Sequence, residues 1–112
     1  MRENRLNPRY NTMSRARITG VLEGDVKLKN LSITGCCLEC KSNHDKIKVN
    51  ETYRIDIIPK KILKKEFEIE AECVWIRDRD DLCEIGFHII FSPTGRHFEN
   101  YVNYLATHST LA

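Results

Sequence analysis

Apolar residues between Met13 and Phe91 recur at every second position in short runs, and polar turns separate the runs. Ala16 and Ile18 alternate with Arg15, Arg17 and Thr19 until Gly20 and Glu23-Gly24-Asp25 mark a turn, which predicts a first strand. Val26 and Leu28 alternate with Lys27 and Lys29 and run into Asn30-Leu31-Ser32-Ile33-Thr34-Gly35, after which Cys36, Leu38 and Cys40 resume period two. Lys41 to Glu51 is polar and patternless, hence a loop. Tyr53, Ile55 and Ile57 then alternate with Arg54 and Asp56 as far as Pro59, which cannot donate to a ladder. The clearest alternation sets Phe67, Ile69, Ala71, Cys73 and Trp75 against four glutamates, Glu66, Glu68, Glu70 and Glu72. After a turn at Asp78 to Asp81, Cys83, Ile85, Phe87, Ile89 and Phe91 form the inward face of a last long strand. About six such strands joined by short turns predict a mainly all-β chain, an antiparallel sheet closed into a barrel or sandwich.

The period changes after Phe91. Ser92 can cap a helix and Pro93 suits its first position. Phe98, Tyr101, Val102 and Leu105 then recur at helical spacing, predicting a helix over about 93–107 whose apolar stripe packs on the sheet. Residues 1–12 have no sustained periodicity, and Pro8 with Asn7 and Asn11 argues for a flexible or extended arm. The expected organisation is therefore an arm over 1–12 and one domain over 13–112, since 112 residues bury one modest core.

Composition narrows the class of protein. The apolar runs are far shorter than the roughly 18 residues of a membrane span. No hydrophobic stretch follows the charged N-terminus, so a cytoplasmic location is expected. Five cysteines without an export signal argue against a disulfide framework. Cys36, Cys37 and Cys40 lack the paired knuckles or spaced histidines of a zinc site, and Cys36, Cys40, Cys73 and Cys83 fit as small buried hydrophobes. No metal or cofactor is expected. His44, His88, His97 and His108 have no spacing relation to a carboxylate or cysteine that suggests a triad, so the chain is not expected to be an enzyme.

Charge is unevenly placed. Arg2, Arg5, Arg9, Arg15 and Arg17 face only Glu3 in the first 17 residues, so the beginning of the chain wants an anion. The Lys60, Lys61, Lys64 and Lys65 cluster fits a solvated loop. Arg5 and Arg9 each offer a planar fork of donors suited to phosphate oxygens or the O6/N7 edge of guanine. Asn30-x-Ser32-x-x-Gly35 interrupts the strand pattern where neither a core nor a simple hairpin requires those residues. In an extended chain Asn30 and Ser32 project from one face while Leu31 points inward. An amide and a hydroxyl can together read a base edge, and Gly35 permits close approach of a flat ligand. Taken alone, each motif also fits a solvated basic tail or a polar turn.

Arg5-x-x-x-Arg9, Asn30-x-Ser32-x-x-Gly35, Ala71-x-Cys73-x-Trp75 and Gly86-Phe87-x-Ile89 together resemble the PilZ domain family over nearly the whole chain. The resemblance implies a six-stranded antiparallel β-barrel with a C-terminal α-helix and a site for cyclic di-GMP. Arg5 and Arg9 would grip its phosphates and one guanine, supplemented by Arg2, while Asn30, Ser32 and Gly35 would hold the other guanine against the barrel. Trp75 falls on a framework position and is expected to pack in the barrel wall. Two departures stand out: Asn4 precedes Arg5 where many members carry adjacent arginines, and Ile89 replaces a common phenylalanine.

The expected function is a non-enzymatic receptor, monomeric or homodimeric. Its arm would order over cyclic di-GMP and relay binding to an unidentified downstream protein in motility, biofilm or virulence control. Two other classes fit less well. An interaction module that has lost the ligand would not need the intact motifs. A small nucleic-acid-binding barrel would place several aromatics on one exposed strand face, whereas most aromatics here fall on inward faces or the helix stripe, so no nucleic acid is expected as partner.

Overall fold

The period-two runs fold as the strands they predict. The computed structural model describes residues 8–41, 46–60, 65–93 and 95–112. Its elements are β1 (Tyr10–Asn11), β2 (Arg15–Arg17), β3 (Val26–Leu31), β4 (Gly35–Lys41), β5 (Thr52–Ile58), β6 (Phe67–Arg79), β7 (Leu82–Phe91) and α1 (Gly95–His108). Strands β3, β2, β5, β6, β7 and β4 pair antiparallel in that order, and β4 pairs back on β3, which closes a six-stranded barrel. Among the described residues closure pairs every barrel strand on both sides over part of its length, and β6 beyond Cys73 is paired to β7 alone.

The interior is filled by the apolar positions of the alternation. Ala16, Leu28, Leu38, Ile55, Ile57, Ile69, Ile85 and Phe87 have no solvent exposure, and Cys36, Cys73 and Cys83 join them as small apolar groups. Each large side chain so buried contributes on the order of 1.5–3 kcal/mol. Cys40, directly opposite Cys83, is half-buried at the barrel's end.

The expected stripe of α1, namely Phe98, Tyr101, Val102 and Leu105, is buried against the sheet. The Phe98 and Tyr101 rings lie 5.6 and 5.9 Å from that of Phe67, and the Tyr101 hydroxyl is hydrogen-bonded to Ser14 Oγ. Ser92 does not cap this helix as expected. Its Oγ donates to the Glu68 carbonyl at 2.6 Å, tying the chain after β7 back to β6.

Residues 9–12, the end of the expected arm, are fixed. Tyr10 and Asn11 pair with Leu31 and Asn30 of β3, and Thr12 is buried with its Oγ1 donating to the Leu28 carbonyl at 2.8 Å. The other side of β1 is held by the last residues of the chain. Asn11 N donates to Thr110 O and Ala112 N to Arg9 O, both at 2.9 Å, and Asn11 Nδ2 donates to Thr110 Oγ1 at 2.9 Å.

Three register shifts decide which face several side chains take. In the β3–β4 ladder Lys29 is skipped, and in the β6–β7 ladder Val74 and Ile90 are skipped. Each extra residue reverses the alternation beyond it. The Lys29 bulge lets Leu28 and Leu31 both point inward and turns Asn30 outward. The Val74 bulge overturns the expected inward place of Trp75, which pairs with outward-facing Gly86 and lies on the outer wall. The Ile90 bulge likewise overturns the inward reading of Phe91, which is 56% exposed.

Candidate ligand-binding face

One cross-strand row organises the outer wall. Asn11 of β1 faces Asn30 of β3, Asn30 faces Cys37 of β4, Cys37 faces Gly86 of β7, and Gly86 faces Trp75 of β6. At about 4.8 Å per strand, the step from Asn30 to Trp75 covers roughly 14 Å. Two glycines bare the backbone here, and each is occupied by one large side chain.

Gly35 is the first. A Cβ on it would lie 2.7 Å from Arg9 Nη2 and 2.9 Å from the Phe87 carbonyl oxygen, so only glycine allows the guanidinium to rest against β4. Arg9 reaches this place because its own carbonyl is held by Ala112 and the next residue is paired to Leu31. Its charge is felt at both neighbouring thiols. Burial pushes Cys36 up to about 12 and also raises Cys37, and Arg9 opposes both shifts.

Gly86 is the second. A Cβ there would sit 2.2 Å from Trp75 Cε2 and 2.3 Å from Nε1, so the indole lies directly on β7 backbone. The Arg77 guanidinium carbon stands 5.1 Å from the indole centroid, a cation–π contact. Behind it Glu84, only 8% exposed, is hydrogen-bonded to Lys29 Nζ and lies 3.6 and 3.7 Å from the Arg77 and Arg79 guanidiniums. The Lys29 hydrogen bond is the main reason the Glu84 carboxyl is held below its ordinary value, against the opposing effect of burial. The pair reaches from the β3 bulge across β4 to β7, so it fastens the distortion that turns Asn30 outward.

Asn30 carries an unusual group. Among the described residues its Oδ1 is buried without a hydrogen-bond partner, whereas a buried acceptor is normally satisfied because leaving it unpaired costs about 1–3 kcal/mol. Ser32 is different. The strand has already ended at Leu31, so the chain does not stay extended, and Ser32 has no exposure. Its Oγ accepts from Thr34 N at 3.1 Å and Gly35 N at 3.0 Å, and its N donates to Gly35 O at 2.8 Å. Ser32 thus builds the turn that presents Gly35.

Arg9, Asn30 and Gly35 are accordingly brought to one part of the outer wall, with Ser32 beneath them in the turn. Arg2 and Arg5 lie outside the described residues. Sequence reading missed Trp75, Arg77 and Glu84 as parts of this wall. Gly86 in the middle of a long strand was the available signal, since a strand glycine often marks close approach of another group. A cleft of about 1010 Å³ lies toward the opposite end of the β3–β4 hairpin, lined in part by Val26, Lys27, Glu39, Cys40 and Leu82, and does not include this wall. No described helix is long and apolar enough to cross a membrane.

The fold defines a class: a small closed six-stranded antiparallel β-barrel with one C-terminal helix. The PilZ domain family model matches residues 3–106, and the chain belongs to that family, whose domains are non-enzymatic receptors with cyclic di-GMP as ligand. The solved structure of Bacillus subtilis inhibitor of motility (MotI/DgrA) superposes with a TM-score of 0.79 at 15% identity, over 96% of this chain and 52% of that one. The likeness supports the fold, and the chain spans about half the length of that protein. No curated protein sequence matches the chain.

Proposed function

We propose that this domain is a receptor for cyclic di-GMP that relays binding to a partner protein without catalysing a reaction. The observation that carries the reading is the buried Asn30 Oδ1, unpaired among the described residues, on the same wall as the Arg9 guanidinium on Gly35. Guanine presents N–H donors that an amide oxygen can accept, and its O6/N7 edge and the phosphates accept from a guanidinium fork. One ligand therefore satisfies both groups. At the other end of the row the Arg77 guanidinium lies over the Trp75 indole, a planar cation that can itself stack on a base.

Arg5, and secondarily Arg2, add donors from the preceding arm by analogy with the family's motif. Ser32 supports Gly35 and Asn30 through the turn. Ligand contacts must exceed the free energy of ordering any arm residues they recruit. The inhibitor-of-motility neighbour favours motility control as the output, and a cytoplasmic location agrees with an intracellular messenger.

Isothermal titration calorimetry with cyclic di-GMP tests the proposal. Binding is expected for wild type. Arg9→Ala and Asn30→Ala should weaken it by about 10- to 100-fold, the loss of one charge-assisted or buried hydrogen-bonding group. No heat for wild type at high micromolar ligand, or unchanged affinity in both variants, refutes it.

A further inference from the structure

We infer that the outer face around the β6–β7 ladder next to the ligand wall is a docking surface for a basic amphipathic protein segment. The inference deepens the relay reading above by naming the partner's chemistry. The Ile90 bulge is the starting observation. Two consecutive apolar residues of β7, Ile90 at 54% and Phe91 at 56%, are exposed where regular alternation hides one of them. Ser92, bonded to the Glu68 carbonyl, fixes the chain directly after them, so the pair sits on an anchored segment.

Carboxylates surround this pair. Phe91 faces Glu70 across the ladder, and Glu68 and Glu72 flank Glu70 on the same face of β6. On β5, Asp56 faces Glu68 and Arg54 faces Glu70. Arg54 pairs with Glu68 at 2.8 Å, leaving a clear acidic excess. His88 of β7 lies opposite Glu72, and on the far side of β5 Arg17 of β2 faces Asp56 but is paired to Asp25. An apolar anchor in an acidic field selects a partner with apolar residues among lysines or arginines, and it repels anionic lipid and nucleic acid.

The barrel's closure removes another option. β6 is paired on both sides here, and β7 beyond Ile89 leaves only two residues of free edge, too short for a partner to add a strand, so a partner must bind through side chains. The surface is also continuous with the ligand wall. His88 lies opposite Gly35, and Ile89 N donates to the Thr34 carbonyl at 2.9 Å in the turn built by Ser32. A change at Arg9, Gly35 or that turn therefore reaches the docking face through one ladder.

The test uses a fluorescently labelled lysine–leucine amphipathic peptide of about four helical turns, with a matched peptide carrying glutamate for lysine. Fluorescence anisotropy should show the lysine peptide binding wild type and the glutamate peptide failing. Phe91→Ser and the Glu70→Lys/Glu72→Lys double variant should each lose about tenfold in affinity. Cyclic di-GMP calorimetry on the same variants should stay at the wild-type value, which shows that they fold. Wild-type peptide affinity in both variants overturns the inference. So does sedimentation showing self-association that Phe91→Ser abolishes, since the occupant is then a second copy. Loss of messenger binding in wild type with Phe91-dependent peptide binding intact overturns the receptor reading alone.

Discussion

Gly86→Ala is the most informative single substitution in this protein. The added methyl falls 2.2 Å from Trp75 Cε2, whereas ordinary carbon–carbon contact is about 3.5–4.0 Å. Residue 86 cannot retreat, because its strand is paired to Cys37 on one side and Trp75 on the other. The indole must therefore leave β7, and its contact with Arg77 goes with it. Overpacking of this kind costs about 1–3 kcal/mol, to which the lost cation–π contact adds roughly 0.5–1 kcal/mol. At about 4–8 °C per kcal/mol for a domain of this size, the melting temperature should fall by roughly 6–32 °C. Trp75 is the only tryptophan, so the intrinsic emission of the protein reports this side chain directly. A red shift should accompany the lower melting temperature. The coupling is also testable: once Trp75→Ala has removed the indole, Gly86→Ala should cost little more, a strongly non-additive cycle. An unchanged emission maximum and melting temperature in Gly86→Ala, or additive losses in the cycle, would refute the placement of the indole on Gly86.

Further outcomes follow from the wall and from the core behind it. Ser32→Ala removes the acceptor of Thr34 N and Gly35 N and should lower stability by about 1–3 kcal/mol, measurable by urea unfolding without any ligand. Glu84 has its folded-state pKa depressed, so the stability it contributes is present above its unfolded value of about 4.3 and lost as pH falls through the lower folded value. Glu84→Gln should flatten that part of a stability–pH curve measured between roughly pH 6 and 2. Burial raises the Cys36 and Cys83 thiols to about 12, so neither should be alkylated by iodoacetamide in the native protein at pH 8, as read by peptide mass spectrometry.

Much of the fold is legible in the alternation because every barrel strand has one dry face. Phe67, Ile69, Ala71 and Cys73 predict their own burial, and the stripe from Phe98 to Leu105 predicts its docking. Bulges escape this reading. The odd-numbered run continues unbroken through Trp75, so nothing in it reveals that Val74 is skipped and that the indole lies outside. Phe91 misleads for the same reason at Ile90. The candidate site's residue types were legible, and the fold brings Arg9, Asn30 and Gly35 to one part of the wall. Their arrangement was not, because it depends on an ion pair between Lys29 and Glu84 separated by 55 positions. Ser32 was placed facing outward on the premise of an extended chain, whereas its hydroxyl is spent on the turn.

The pairing of β1 with the chain's last residues also bears on folding. Tyr10 bridges Leu111, so this contact closes a loop of almost the whole sequence, and loop-closure entropy must be met before it forms. The seam is short, two residues of β1 against a few of the tail, and its side-chain bonds to Asn11 are solvent-exposed. Such a segment belongs to the low-stability end of local opening, so its amides should exchange with solvent ahead of the barrel's. Arg9 hangs from that seam through its carbonyl, which makes the guanidinium on Gly35 the last piece of the wall to be assembled and the first to be released.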